Sequence, residues 1–341
     1  MMKKPACPIL LIVSVAAAIG LSGCGPAEQD TAGPMILKVG QALPASHPTS
    51  RAMERFEQRV EELTDGRIDV RLYSSGQLGG TDQLIMLSQM GNLEACVVSA
   101  APLAQYAEHF NVLVMPFIFR DNEHQYAVVD GPVGDELGEH LRDKGLHAAA
   151  FFDAGSRNVM TIDGPIRSPE DLGGMKIRVM STNVLQETVA CLGGVPQTIS
   201  MGEVYSALQT GVIDGWENNP ATCNAYSMYE TGCTHFAWTR HVSIPDLLVL
   251  SRKWYDALDA DLRQAVDRAA EETRQHQRRL WQEADEKAIA DLRKAGMTFN
   301  EVDRPAFLAR FGSFYGQSAE KYGPEFERLL TSIREGNEES R

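Results

Sequence analysis

Four short stretches of this sequence carry side chains able to grip a small polar molecule. MKIRVM (175–180) offers Arg178, DAGSRN (153–158) offers Arg157, VIDGWENNP (212–220) offers Glu217, Asn218 and Asn219 beside Trp216, and SHPTSR (46–51) offers His47 and Arg51. A guanidinium can give a carboxylate two parallel charge-assisted hydrogen bonds, and an asparagine amide both donates and accepts, which suits sugar hydroxyls. This is recognition chemistry. Bond-breaking chemistry is missing its partners: Ser156 lacks the glycine that would complete a G-x-S-x-G elbow, and Asp214 and Glu217 stand three apart at a strand end where they do not converge. The eight histidines are scattered, with no HExxH, and no cysteine spacing suits a metal. No enzyme, metal or cofactor is therefore expected. Each candidate also has an ordinary structural reading: Arg157 as the partner of a surface acid, Trp216 as core, His47 as loop structure before a proline, and the tandem Asn as turn chemistry. In MKIRVM the period of two puts Lys176 and Arg178 on one face, and Lys176 reads as solvated.

The elements that must position these groups alternate between strand and helix. ILKVGQA (36–42), RIDVRLY (67–73), EACVVS (94–99) and GLHAAAFFD (145–153) read as strands. Between them lie a helix carrying Met53, Phe56, Val60 and Leu63 and ending at Gly66, a second ending near Gly91, and a third over 123–143. A second unit repeats the pattern with strands at 175–180, VPQTI and VIDGW and helices at 181–192 and MGEVYSALQTG. This order predicts an α/β fold with largely parallel sheets, in which ligands bind at strand ends. Residues 259–295 contain no Pro or Gly and keep an apolar stripe. One helix of that length runs on the order of 55 Å and would bridge two lobes; two consecutive helices are the alternative.

Composition narrows the partners. The N-terminus has two lysines, an apolar run of roughly a dozen residues, then small residues before Cys24, which is an export signal rather than a membrane span. Leu21-Ser22-Gly23-Cys24 resembles a lipobox, which makes Cys24 the expected lipidation site; an ordinary cleavable signal is the alternative. Residues 24–35 read as a flexible tether. Without residues 1–23 the chain carries 32 − 2 = 30 basic and 46 acidic residues, a net of −16, which makes nucleic acid and anionic membrane surfaces poor partners. An anionic ligand would bind against that field, so a few local arginines must hold it. About 305 residues beyond the tether call for two domains. Cys96 and Cys191 sit in apolar contexts as buried thiols, while Cys223 and Cys233 are placed for a local disulfide or for two more thiols.

Taken in order, YSSGQLGG, VSAAPL, MPFIFRDNEHQYAVVDG, FFDAGSRNVMT, PIRSPEDLGGMKIRVM, GEVYSALQTGVIDGWENNP and IPDLL resemble the solute-binding proteins of TRAP transporters, DctP type, over about residues 36–335. The resemblance implies a two-lobed extracytoplasmic receptor of periplasmic-binding-protein type, with a hinged cleft and a long helix spanning both lobes. It also implies delivery of the ligand to the small and large membrane subunits of a sodium-driven permease. Carried over by motif, Arg178 grips the ligand carboxylate, Arg157 and Asn218 are further contacts, and Ser99 faces the cleft. Lobe I would take 36–154 and 244–283, and lobe II 155–243 and 284–341. DAGSRN, KIRVMS, VSAAPL, the tandem Asn and the turn from His241 to Asp246 are similar to members that bind sugar acids, notably hexuronates such as glucuronate or galacturonate. Trp216, where a small residue or glutamine is commoner, and Ser243, where arginine is common, depart from that pattern. Another organic acid as ligand, or presentation of a ligand to a sensor kinase, remains the alternative.

Overall fold

The structure is a computed structural model that describes residues 33–335. Cys24 and most of the tether lie outside the described residues. Eleven strands are described: β1 (Met35–Gln41), β2 (Ile68–Tyr73), β3 (Ala95–Ser99), β4 (Leu146–Phe152), β5 (Ser156–Thr161), β6 (Lys176–Val179), β7 (Val195–Thr198), β8 (Gly215–Asn218), β9 (His235–Ser243), β10 (Asp246–Ser251) and β11 (Thr298–Glu301). They form two sheets, ordered β2-β1-β3-β10-β4 and β11-β9-β5-β8-β6-β7. The α/β class and the two-lobed architecture expected from the sequence are thus present. The sheets are mixed rather than largely parallel. β10 runs antiparallel to both its neighbours, and β5 does the same in the second sheet. The chain's route places them so: β5 follows β4 over a short link into the second sheet and β10 follows β9 back into the first, and each of these crossing strands runs against both its neighbours.

This antiparallel insertion is what gathers the polar groups. β3 ends at Ser99, and because β10 runs the other way its first residue, Asp246, pairs with Ser99. β6 and β8 run parallel and end at Val179 and Asn218, while β5 runs against β8 and so starts beside its end, with Asn158 opposite Asn218. The ends of the parallel strands and the beginnings of the inserted ones therefore lie along one edge of each sheet, the position where α/β folds place ligands.

Two strand connections link the sheets: Asp153–Gly155 between β4 and β5, and Ile244–Pro245 between β9 and β10. Gly155 has φ +60°, a conformation L side chains adopt only at a cost, and a Cβ there would lie 3.0 Å from Trp281 Nε1. Trp281 belongs to a 35-residue helix, Ala260–Lys294, about 53 Å long at 1.5 Å per residue. The uninterrupted reading of 259–295 is the one the structure adopts. Val266, Ala269 and Ala270 of this helix join the core of Met53, Phe56 and Val60 beneath the first sheet. Trp281 packs with Ala154 and Ala221, and Leu292 enters the core of Met160 and Phe236 behind the second sheet. Midway, Gln277 is fully buried: its Nε2 donates to Asp153 O (2.7 Å) and its Oε1 accepts from Asp153 N (2.9 Å). The helix is thereby fastened to one of the connecting segments.

Some elements differ from the sequence expectations. The helix expected over 123–143 is two helices, Asn122–Val129 and Pro132–Arg142, because Gly131 and Pro132 break the hydrogen-bond ladder. Within 284–341, β11 joins the second sheet, but the last helix, Pro324–Glu335, packs through Phe326, Leu329 and Ile333 with Phe110 and Leu137 on the first-sheet side. His124 Nε2 lies 3.1 Å from Ile333 O there. Cys223 and Cys233 are both free and buried, not bridged. Among the described residues no helix is long and apolar enough to cross a membrane.

Candidate binding site

A cavity of about 480 Å³ lies at the gathered strand ends, within the range of roughly 300–1,000 Å³ that small-molecule sites occupy. Arg157, Arg178, Asn218, Ser99 and Asp246 all line it. The two arginines, alike in sequence, have different electrostatic situations. Arg157 is held side-on by the fully buried Glu217: Nε donates to Oε2, and Nη2 donates to Oε1 (2.8 Å) and to the backbone oxygen (2.7 Å). Nη1 donates to Asn218 Oδ1 (3.2 Å). Burial alone would raise the Glu217 pKa, but the charge of Arg157, its hydrogen bonds and the nearby His241 imidazole outweigh it and hold the carboxyl near 2. Arg157 is therefore already neutralised.

Arg178 is not. It is 3% exposed, its Nε donates to Ile199 O (2.8 Å), and Nη1 and Nη2 have no protein acceptor among the described residues. Desolvation pulls its pKa down to about 10, which leaves it charged at neutral pH. A buried cation lacking a counter-ion is costly, and a ligand carboxylate would remove that cost while using the two free nitrogens. The carbonyl of Ile199 fixes the plane in which they are presented.

Asp246 faces the same cavity. Burial raises its pKa to about 7, with Arg157 opposing and Asp153 adding to the rise, so near neutral pH it is part protonated. Tyr226 reaches from the second-sheet side to donate its hydroxyl to Ala42 O (2.9 Å), and Gln105 Nε2 donates to Ser181 O (2.7 Å) from the other direction. These bonds bridge the cleft beside the cavity.

Of the remaining candidates only Asn219 also lines the cavity. Trp216 is fully buried among Met160, Val204, Leu208 and Phe236, because the strand's alternation turns it away from Glu217. It does not narrow the cavity. His47 is the N-cap of the helix Pro48–Leu63: Nδ1 accepts from Thr49 N (3.3 Å), Nε2 meets Thr222 Oγ1 at 3.2 Å, and burial lowers its pKa to about 3, so it is neutral. Arg51 is exposed beside Arg55 and Arg279, away from the cleft. His241 is buried behind the ion pair, with Nε2 3.6 Å from Glu217 Oε2 and Nδ1 2.9 Å from Thr239 Oγ1. It supports Glu217 rather than lining the cavity. Asn219 caps the helix Pro220–Ala225 by accepting from Thr222 N (2.7 Å), which is the turn role open to it from sequence. Asp246 and Tyr226 were not singled out from the sequence. The available signal was an acid opening the otherwise apolar run DLLVL, since an acid at such a position needs a polar destination.

The family model for bacterial extracellular solute-binding proteins, family 7 (DctP), matches residues 39–321. The chain belongs to this DctP family. The C4-dicarboxylate-binding periplasmic protein DctP of Rhodobacter capsulatus is 30% identical over 297 residues, 86% of this chain and 89% of the relative. A TRAP periplasmic solute-binding protein from Chromohalobacter salexigens with bound D-glucuronate is similar with a TM-score of 0.85 and 32% identity, over 88% of this chain and 99% of that one. One from Sulfitobacter with bound β-D-galacturonate gives a TM-score of 0.85 and 31% identity at the same coverage. Like its family, this DctP protein is an extracytoplasmic solute receptor.

Proposed function

We propose that this DctP protein binds a monocarboxylate sugar acid, a hexuronate such as D-glucuronate or D-galacturonate, and delivers it to the membrane subunits of a sodium-driven TRAP permease. The observation that carries the reading is the single unneutralised cation lining the cleft among the described residues: Arg157 is occupied by Glu217 and Arg178 is left for one carboxylate. Ser99, Asn218 and Asp246 supply neutral or acidic partners suited to hydroxyl groups. The bound uronates of the two similar structures support the same ligand class. Residues 36–154 and 244–283 would form one lobe and 155–243 with β11 the core of the other, closing about Asp153–Gly155 and Ile244–Pro245. Only the closed form gains contacts from both sides, so ligand shifts the population toward it. A lipid anchor through Cys24 rests on the lipobox-like Leu21-Ser22-Gly23-Cys24 alone.

The relative from Rhodobacter raises a C4-dicarboxylate as the second reading. It would need a second free cation, whereas Asp246 occupies the cavity wall and Arg157 is spent. A thermal-shift panel of glucuronate, galacturonate, galactonate and succinate separates the two. A true ligand at about 100 times its Kd should add about 2.7 kcal/mol to stability. Stabilisation by succinate alone would overturn the sugar-acid reading.

A further inference from the structure

Far from one another in sequence, His109, His140 and Glu325 converge on the outer surface of the first-sheet side, and their donor atoms all lie within 4.8 Å of one another. His109 belongs to the 3-10 segment Glu108–Val114, His140 to the helix Pro132–Arg142, and Glu325 to the first turn of the last helix. The two imidazoles stack with centroids 3.9 Å apart and planes 11° apart, which brings both Nε2 atoms toward one carboxylate. His109 Nε2 is 3.1 Å from Glu325 Oε2, and His140 Nε2 is 3.4 Å from Glu325 Oε1. His140 Nε2 is hidden from solvent yet makes no hydrogen bond, although Glu136 Oε1 also lies 4.0 Å away. Glu136 is itself paired with Arg328 of the last helix.

We propose that His109, His140 and Glu325 form a surface site for a borderline divalent cation of the Zn²⁺ type, which staples the last helix to the body of the protein. Tetrahedral Zn²⁺ with bonds of about 2.0–2.2 Å places neighbouring donors roughly 3.4 Å apart; His109 Nε2 and His140 Nε2 lie near that distance from Oε2 and Oε1 of Glu325 respectively, so turning the carboxylate and splaying the stacked rings would bring one oxygen and both nitrogens onto one ion. Two imidazoles with one carboxylate favour Zn²⁺ over the oxygen-seeking Mg²⁺ and Ca²⁺. Solvent completes the shell, since Glu325 is half exposed. An ion here satisfies the buried His140 nitrogen and links three elements otherwise joined by apolar packing and peripheral ion pairs. The sequence hid this site because the histidines stand 31 positions apart and Glu325 stands 185 positions beyond His140.

The test is equilibrium dialysis of tag-free, chelator-treated protein against Zn²⁺, with amide exchange followed over residues 324–335. The site predicts one bound equivalent and slower exchange in that helix when Zn²⁺ is present. It predicts at least about a tenfold loss of affinity in His109→Ala and in His140→Ala, with uronate binding unchanged. Glu325→Gln, at an exposed position, provides the same test without risk to folding. Absence of stoichiometric Zn²⁺ binding, or an affinity unaltered by all three substitutions, would overturn the proposal.

Discussion

Glu217→Gln is a severe test of the electrostatics at the cleft. Glu217 is fully buried and holds Arg157 through two hydrogen bonds from the guanidinium to its carboxylate, so an amide there leaves a buried cation with a neutral partner. Breaking one side of such a pair typically costs about 3–5 kcal/mol. For a domain of this size, about 2 °C of Tm per kcal/mol gives a loss of roughly 6–10 °C by scanning calorimetry. The pH dependence has a definite sign. The folded pKa of Glu217 is depressed, from an ordinary 4.5 to about 2. Its contribution is therefore present above pH 4.5 and disappears as pH falls through 2, and the gap between wild type and variant should close over that window. The double variant Arg157→Met/Glu217→Met removes both charges and should recover most of the loss. A Glu217→Gln Tm within about 2 °C of wild type at neutral pH would refute the claim that Arg157 is neutralised by this one partner.

Further outcomes follow from the same geometry. Uronate affinity should weaken several-fold between about pH 6 and pH 8 as Asp246, with its pKa near 7, becomes an anion beside an anionic ligand; Asp246→Asn should flatten the profile in calorimetric titration. Because that pKa is raised, burial of Asp246 should also cost stability progressively as pH rises from 3.8 through 7. Gly155→Ala forces a left-handed residue against Trp281 and should cost about 1–2 kcal/mol in urea denaturation, with slower ligand-induced closure by stopped-flow fluorescence. Trp216→Phe should lower stability by roughly 1–3 kcal/mol yet leave Kd within about twofold, since the indole lies in the core and not in the cavity.

The parts of this protein legible in its sequence are those written in local periodicity. The alternation of MKIRVM, the unbroken stripe from 259 to 295 and the strand ends carrying Arg157, Arg178 and Asn218 all follow from spacing, and the structure brings the three polar residues to one cavity. What spacing cannot show is which partner each side chain meets. Arg157 and Arg178 are equally plausible clamps by residue type, and only the register of β5 against β8 places Glu217 under one and not the other. Trp216 and His241 lie close to true cavity residues in sequence, but strand alternation and packing give them to the core and to the ion pair. The direction of β10 was equally hidden, because an apolar strand reads the same either way; that direction sets Asp246 beside Ser99.

The central claim is that the Arg178 guanidinium is the carboxylate clamp. Calorimetric titration of D-glucuronate or D-galacturonate into wild type and Arg178→Lys tests it directly, with Tm as the check on folding. A lysine keeps the charge but loses one of two hydrogen bonds to a charged group, worth about 1.5–3 kcal/mol, so Kd should rise by about tenfold to somewhat over a hundredfold. A Kd within about threefold of wild type in a fully folded variant would contradict the account.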